Sequence, residues 1–285
     1  MDAGLLLRKL LTISLSNFMP TSSLISVICS TYNRSDALSA ALSGLLRQTD
    51  TNFEVIVADD GSTEETRFVI DSYIKKASFR IHHTWHEDLG FRLAAIRNLA
   101  LTSAQGEYVL LLDGDCIPPP YWVANHRQLA EEGWTVSGQR ILTSRAFCTE
   151  ILNQPNFSAQ FDWNLSHFKK LFHAGKINRW QPTLTFGLRD FSFWRKLTPK
   201  KWKMIRGCNW GIWRKDITRV NGFNEHIIGW GHEDADLAIR LMNAGVKFKS
   251  GSFATAVLHL WHKEAPRDSA AHNWEVATSN LDRKL

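Results

Sequence analysis

Short apolar runs alternate with amphipathic stretches along the first half of the chain. Four apolar runs predict strands: Leu24–Ser30, Phe53–Ala58, Phe79–His83 and Tyr108–Leu112. The stretches between them predict three helices: one capped by Ser35 and reaching about Gln48, one opened by Thr63–Glu65, and Phe91–Ala104. Because strand and helix alternate, the pattern predicts a parallel sheet covered by helices, an α/β fold. After about Arg140 the alternation stops.

The strand ending at Leu112 is followed directly by Asp113, Gly114 and Asp115. The aliphatic run before them is typical of a strand buried on both faces, and the Gly114 spacer together with three prolines, Pro118–Pro120, is expected to end it. Carboxylates in such a place are paired, hydrogen-bonded or on a metal. Oxygen ligands suit Mg²⁺ or Mn²⁺, and strand ends are where open α/β sheets bind ligands. The alternative is an Asp-Gly turn that merely closes the strand.

Two further acidic pairs have both a structural and a functional interpretation. Asp59 and Asp60 follow the second predicted strand, where they either form a turn and helix cap or hold a base or ribose. Glu233 and Asp234 fall in the first turn of a helix predicted to end at Gly245. There they either favour the helix dipole or supply a general base. Glycines around Trp230 predict a mobile loop whose indole can stack on a sugar.

Two histidines, His259 and His262, follow an apolar run near the end of the chain. A lone histidine in such a place is usually structural. A metal held by two aspartates has open positions, however, and imidazole is a common third ligand. His259 is the first choice for that ligand and His262 the second.

Composition narrows the choice of partner. The 285 residues carry a formal net charge of +6, which suits an anionic partner such as a nucleotide, a phospholipid surface or a nucleic acid. The four cysteines show no paired spacing, which favours a reducing compartment and gives a zinc site no support. No apolar run reaches the ~20 residues of a membrane span. Residues 1–23 predict an N-terminal extension, either frayed, a poor signal peptide or an amphipathic membrane-surface helix.

The segment 164–206 is basic and aromatic. It carries eleven Lys or Arg residues against one acid, Asp190. One interpretation is a solvated basic face with some buried tryptophans. The other is a surface, including Phe191–Lys203, that docks on anionic lipid or on a lipid-linked or phosphorylated glycan.

No glycine-rich phosphate loop follows the first two strands, which end in STYNR and DDGS. A nucleotide site here would use side chains. A nucleotidyltransferase is disfavoured because STYNR is a poor triphosphate loop. A nucleic-acid binder is disfavoured because no known module matches.

Five motifs together resemble the family 2 glycosyltransferases of GT-A fold. They are SVICSTYNRSDAL, FEVIVADDGST, HEDLGFRLAAIRNLAL, LLLDGDC and RGCNWGIWRKDITRVNGFNEHIIGWGHEDADLAIRLMNAG. The last is similar to the galactosyltransferase-type C-terminal motif of bacterial chondroitin-polymerase-like enzymes and β-1,4-galactosyltransferases. The resemblance covers about residues 24–265. It implies a Rossmann-like, mostly parallel sheet with a C-terminal acceptor-binding part packed against it.

The resemblance also implies a division of the chain. It runs as extension 1–23, nucleotide-sugar-binding half 24–142, basic aromatic insertion 143–206, acceptor and catalytic half 207–265, and tail 266–285.

Roles at matching positions are implied in the same way. Thr31, Tyr32 and Arg34 would line the nucleotide pocket, Asp59 would contact the uracil or ribose, and Arg92 and Arg97 would face the base or diphosphate. Asp113 and Asp115 would hold Mn²⁺ or Mg²⁺ on the diphosphate together with His259. Asp234 would be the catalytic base, and Trp230, Gly231 and Glu233 would contact the acceptor and the donor sugar.

The implied enzyme is an inverting, metal-dependent hexosyltransferase. It would move a hexose or N-acetylhexosamine from a UDP-sugar to a glycan or lipid-linked glycan in bacterial surface polysaccharide or lipopolysaccharide synthesis. The implied location is cytoplasmic, with peripheral contact at the inner face of the cytoplasmic membrane, and no nucleic acid is involved. The alternative is an inactive relative that only binds a glycan or a nucleotide sugar.

Overall fold

The computed structural model describes residues 19–154, 157–183 and 192–281. The strands are β1 Ile25–Thr31, β2 Phe53–Asp59, β3 Ile81–Trp85, β4 Tyr108–Asp113, β5 Cys116–Ile117, β6 Trp134–Ser137, β7 Gln139–Leu142, β8 Asn209–Trp213, β9 Lys247–Ser250 and β10 Ala256–His259. The α-helices are α1 Ser35–Leu45, α2 Glu64–Ile74, α3 Leu93–Ser103, α4 Trp122–Leu129, α5 Arg145–Leu152, α6 Phe157–Gln160, α7 Leu165–His173, α8 Ser192–Arg195, α9 Arg214–Arg219, α10 Glu233–Asn243 and α11 Ala270–Thr278.

Seven strands form the central sheet, in the order β3-β2-β1-β4-β8-β6-β9. The strands from β3 to β4 are parallel, whereas β8 is antiparallel to both β4 and β6. Thr31 pairs with Asp59, and Ser30 pairs with Asp113, so the carboxyl ends of β1, β2 and β4 meet at one edge. Because β8 runs the other way, its first residue lies at the same edge. The predicted mostly parallel α/β sheet is confirmed.

Alternate residues of the central strands face two apolar layers. Val27, Val55 and Leu110 pack with residues of α1 on one side of the sheet. Ile28 and Leu111 pack on the other side with residues of α3 and α10. Burying one such side chain stabilises the fold by roughly 1.5–3 kcal/mol. The two layers explain why these strands are continuously apolar, as predicted.

A second sheet of three strands, β5-β10-β7, stands beside the edge where β4 ends. Here the sequence prediction needs correction, because the prolines do not end the aliphatic strand. That strand ends at Asp113, and Cys116–Ile117 forms a separate strand, antiparallel to β10, before Pro118 is reached. His259 lies opposite Cys116 in this pairing. The small sheet therefore brings the chain near its C-terminus to the two aspartates.

The prediction that Ser35 caps the first helix was also wrong. Ser35 is the first helical residue, and its hydroxyl donates a hydrogen bond of 2.8 Å to Glu65 on the next helix. Arg34 occupies the capping position, and its side chain makes no capping hydrogen bond to the helix amides. The hydroxyl thus links two helices instead of satisfying the open amides of one.

The chain between β7 and β8 packs helices α5 to α7 around Phe168, against Leu258 of β10 and Ala37 of α1. Within the described ranges, no helix is long and apolar enough to cross a membrane. Residues 1–18 of the predicted N-terminal extension lie outside the described residues. So do residues 184–191 of the basic aromatic segment. The proposed domain limits stay predictions. The predicted tail contains helix α11, which packs on α10.

Candidate active site

The first predicted nucleotide contacts lie where β1 ends. Thr31 is buried beside Gly114, where an added Cβ atom would lie 2.9 Å from the backbone oxygen of Ser30 and 3.2 Å from the Cβ of Thr31, so a larger residue would force the backbone to shift. Tyr32 is half exposed, and its hydroxyl donates a hydrogen bond of 2.9 Å to Asp88. Arg34 forms an ion pair of 2.8 Å with Asp36. A phenol at the rim of the sheet edge is thus available to pack on a planar base.

Asp59 and Asp60, at the end of β2, are both buried. One oxygen of Asp59 accepts from the Ser62 amide at 2.8 Å, and the other lies 3.0 Å from Nε2 of His83. The predicted turn role is therefore present in the structure. Whether Asp59 also contacts a base stays a prediction.

Asp60 makes two contacts, with His86 and with the Arg92 amide, that were not predicted from the sequence. Its carboxylate lies 2.6 Å from Nε2 of His86 and accepts from the Arg92 amide at 2.9 Å. Burial raises the pKa of the Asp60 carboxyl, and His86 opposes that shift. The available signal was the group of histidines on and just after β3, including His83 and His86. Their role is to hold the two aspartates and the start of α3 together.

Arg97 of α3 is the buried link between Asp113 at the end of β4 and Glu233 at the start of α10. Its side chain is 1% exposed and donates to Asp113 at 2.9 Å and to Glu233 at 3.0 Å. It also donates to the Ser30 hydroxyl at 3.1 Å and lies 3.4 Å from the carbonyl oxygen of Gly207. The prediction that Arg97 faces the base or diphosphate stays untested. In this structure its guanidinium is occupied by protein groups.

Asp115 lies between the two predicted histidines. Its carboxylate oxygens are 3.6 Å from Nε2 of His259 and 3.5 Å from Nε2 of His262. His259 is buried, and burial lowers the pKa of its imidazole, which keeps it neutral and able to coordinate. His262 is more exposed and turns its Nδ1 toward the Lys263 carbonyl at 3.0 Å. The structure brings both histidines to Asp115.

The carboxylate of Asp115 and the imidazole of His259 fit a divalent cation. Asp115, His259 and Cys116 offer ligand atoms that all lie within 4.8 Å of one another. Burial and the neighbouring Cys208 raise the pKa of the Cys116 thiol well above its ordinary value, so sulfur stays protonated and is a poor ligand. The remaining carboxylate and imidazole donors are those that suit Mn²⁺.

Glu233 and Asp234 differ in their surroundings although they are adjacent. Glu233 is buried, and burial together with Asp234 raises its pKa to about 7, against the opposing charge of Arg97. Asp234 is partly exposed, and its Oδ2 accepts from the Gly207 amide at 2.9 Å. The first carboxylate is tied to Arg97, whereas the second is partly accessible to solvent.

Trp230 lies on the loop that leads into α10. Gly229 and Gly231 on either side of it have positive φ angles of 80° and 98°, and His232 follows with φ of 73°. Such angles are ordinary for glycine but strained for histidine. The indole of Trp230 is partly exposed, and the guanidinium of Arg267 lies 4.8 Å from its ring centre.

The predicted site residues thus form one edge of the sheet, with the Thr31 and Asp59 group at one end and the Asp115 and Asp234 groups at the other. A cavity of about 770 Å³ elsewhere in the described structure lies between α3 and α9. It is lined by Thr102, Arg214 and Asn224 among others, and by none of the predicted site residues.

Comparison with known proteins agrees with this architecture. The model of glycosyl transferase family 2 matches residues 26–198, and that of the N-terminal domain of galactosyltransferase matches residues 193–263. The chain is 29% identical over 266 residues to chondroitin synthase of Escherichia coli, a match that covers 85% of this chain and 35% of that protein. The chain therefore spans about a third of the length of that relative.

Two solved glycosyltransferase structures share the fold. TarS 1–349 of S. aureus in complex with UDP has a TM-score of 0.57 at 16% identity, and the match covers 92% of this chain and 66% of that one. A mannosyltransferase of Pyrobaculum calidifontis, in complex with GDP-Man and Mn²⁺, has a TM-score of 0.55 at 17% identity, covering 96% and 68%. The family 2 model matches more than half of the chain, including β4 and the residues Asp113 and Asp115 at its end. The chain belongs to glycosyl transferase family 2 and is a glycosyltransferase of GT-A fold.

Proposed function

We propose that this glycosyltransferase is metal-dependent and inverting, and that it moves a hexose or N-acetylhexosamine from a UDP-sugar to a glycan acceptor. The observation that carries the proposal is the placement of Asp115, flanked by His259 and His262, at the sheet edge that also holds Asp234. The proposal thus assigns the donor site and the candidate base to the same edge of the sheet.

Asp115 and His259 would hold Mn²⁺ or Mg²⁺, with Asp113 beside them. A divalent cation there supplies the positive charge that stabilises a departing diphosphate. Arg97 holds one oxygen of Asp113 at 2.9 Å and so fixes the rotamer of that carboxylate before any ligand arrives. A set of ligands held in place in advance spends less free energy on ordering when the donor binds.

Asp234 is the proposed base. Glu233 is engaged by Arg97, whereas among the described residues Asp234 accepts one hydrogen bond, from the Gly207 amide, and is partly exposed. A carboxylate in that position takes the proton from the acceptor hydroxyl as this attacks the anomeric carbon. A single displacement inverts the configuration at that carbon. Retaining glycosidases instead use a second carboxylate as a nucleophile that forms a covalent sugar intermediate. The proposal does not assign such a nucleophile to any of the described carboxylates.

The donor base would pack against Tyr32, with Thr31, Arg34, Asp59 and Arg92 around it. TarS binds UDP in its solved complex and the mannosyltransferase binds GDP-Man. The shared fold therefore accommodates either nucleotide. Uridine is proposed here because the family resemblance of the motifs favours it.

The proposed acceptor side comprises Trp230, Gly231 and Glu233. The acceptor would be a glycan or lipid-linked glycan of a bacterial surface polysaccharide or lipopolysaccharide, because the chain is similar to a bacterial chondroitin synthase. Exposed lysines such as Lys200, Lys201 and Lys203 support contact with an anionic membrane face. The proposed location is the cytoplasm, at the inner face of that membrane.

Turnover of a panel of nucleotide sugars with Mn²⁺, with Mg²⁺ and with chelator tests the proposal. We expect one UDP-sugar to be hydrolysed or transferred, and chelator to abolish the reaction. A GDP-sugar as the sole substrate would overturn the uridine assignment. Binding of a nucleotide sugar or glycan without turnover, under every metal and with candidate acceptors, would instead support the inactive binding relative.

A further inference from the structure

We propose that helix α11 tethers the Trp230 loop, residues 228–231, in the position needed for acceptor binding, and that Asn273 is the positioning residue. The inference rests on the proposed function, in which Trp230 contacts the acceptor. Both family models end before this helix, the later one at residue 263. Helix α11 thus lies outside the residues that the two family models match, whereas the Trp230 loop lies inside them.

Asn273 is buried, with 1% of its surface exposed, and its side-chain amide points at the loop backbone. Its Nδ2 donates to the carbonyl oxygens of Ile228 at 3.1 Å and Gly231 at 3.2 Å, with that of Trp230 at 3.5 Å. Two amide hydrogens are thus shared among three carbonyls of four consecutive residues. Backbone carbonyls that lie outside helices and strands need such partners wherever water is displaced from them.

The loop has no regular hydrogen-bonding pattern to hold it. Gly229, Gly231 and His232 all have positive φ, and a positive φ at the histidine costs on the order of 1 kcal/mol or more unless surrounding contacts impose it. A strained loop persists only where its neighbours fix it. The amide of Asn273 is the described side chain that contacts most of the loop carbonyls.

Further contacts place α11 against both the loop and the catalytic helix. A Cβ atom added at Gly229 would lie 2.5 Å from the Ser269 hydroxyl oxygen, so the loop passes directly over the start of α11. The ring of Trp274 meets that of His232 at 5.0 Å. At the far end, Asn280 donates to Asp236 of α10 at 3.0 Å. The Trp230 loop and helix α10 are therefore both in contact with residues 269–280.

The test compares Asn273→Ala and Asn273→Asp with the wild type. Asn273→Asp keeps the shape but replaces the two donor hydrogens with an acceptor facing three carbonyls. His272→Ala is the matched control, because His272 is the exposed neighbour of Asn273 on the same helix. Hydrogen exchange of amides 228–232 reports on the loop, and steady-state kinetics with varied acceptor report on its use.

We expect amide exchange in the loop to accelerate about tenfold in both Asn273 variants, since one or more buried hydrogen bonds are lost. The KM for the acceptor should rise about tenfold, while kcat at saturating acceptor falls far less. His272→Ala should match the wild type in both measurements. Asn273→Gln keeps the donors on a longer side chain and should give intermediate exchange.

Unchanged loop exchange in Asn273→Ala and Asn273→Asp would overturn the tether, even if the melting temperature falls, because Asn273 would then be a general stability residue. An unchanged acceptor KM with faster exchange would overturn the role in acceptor binding. If Asn273→Ala does not fold, amide exchange of the loop in Asn273→Gln tests the tether instead. If the wild type turns over no nucleotide sugar, the proposed function fails, and the exchange arm still tests the tether by itself.

Discussion

Arg97 and Asp113, sixteen residues apart in the chain, form an ion pair of 2.9 Å at the edge of the sheet. The same guanidinium holds Glu233, from 136 residues further along, at 3.0 Å. Asp113 and Glu233 are therefore both held by one buried cation, the guanidinium of Arg97. In this structure the guanidinium of Arg97 serves to hold these two carboxylates in place.

Removal of Arg97 should destabilise the protein and leave two carboxylates facing each other. For Arg97→Met we expect a loss of about 3 kcal/mol in the free energy of unfolding, since breaking a buried pair strands the remaining charges. Arg97→Met combined with Glu233→Gln should recover part of that loss. Urea unfolding of the single and double variants measures it, with the exposed Lys200→Met as control. Equal stability of single and double variants would show that repulsion between the carboxylates is not the cause.

Asp234→Asn should reduce the rate of transfer while leaving donor binding intact. We expect kcat to fall by about 10²- to 10⁴-fold, the usual contribution of a general base. The substituted amide still has an oxygen to accept from Gly207, so the helix start should keep its geometry. Rate measurements at saturating donor and acceptor, beside UDP affinity, test the assignment. A fall confined to UDP affinity would place Asp234 in nucleotide binding instead.

His259 and His262 should differ as metal ligands although both approach Asp115. His259 is buried on β10 and its ring is fixed, whereas His262 is partly exposed beyond the strand end. We expect His259→Ala to weaken Mn²⁺ affinity more than tenfold and His262→Ala to weaken it by a few fold, because a preorganised ligand loses less entropy. Calorimetric titration of the metal with UDP present distinguishes them. The reverse order would make His262 the ligand.

The buried His126 should make stability depend on pH. It lies in α4 with no exposed surface, and burial lowers its pKa from 6.5 to about 4. Because the folded-state pKa is the lower one, this contribution is complete above pH 6.5 and is lost as pH falls toward 4. The loss amounts to about 3 kcal/mol over that interval.

His126→Gln removes the titration but keeps a donor for the Asn209 side chain, which lies 3.1 Å from Nε2 in the wild type. Denaturant unfolding between pH 4 and pH 7 should therefore give a shallower pH dependence for the variant. Parallel pH profiles of wild type and variant would rule out His126 as the cause.

Much of the fold was predictable because the central strands are buried on two faces. Val109–Leu112 could only be a fully covered strand, and its acids could only stand at its end. The helix start at Glu233 and the glycine stop at Gly245 followed from local rules of helix termination. These features depend on neighbours in sequence, which a single chain displays.

The parts that the sequence did not predict depend on contacts between distant residues. Nothing in the local sequence shows that Ser35 bonds Glu65 instead of capping its own helix, or that Cys116–Ile117 pairs with β10. The ion pairs of Arg97 and the contacts of Asn273 likewise join segments that only the folded chain brings together. The contact between Asp60 and His86 was not predicted, because a buried acid-imidazole pair leaves no periodic signal.

The most direct test of the account is calorimetric binding of UDP to the wild type and to Asp115→Asn, each with Mn²⁺ and with chelator. If Asp115 places a metal on the donor diphosphate, the wild type should bind UDP at least tenfold more tightly with Mn²⁺ than with chelator. Asp115→Asn should show little difference between the two conditions. Equal UDP binding by both proteins, with and without Mn²⁺, would contradict the metal-dependent donor site at the end of β4.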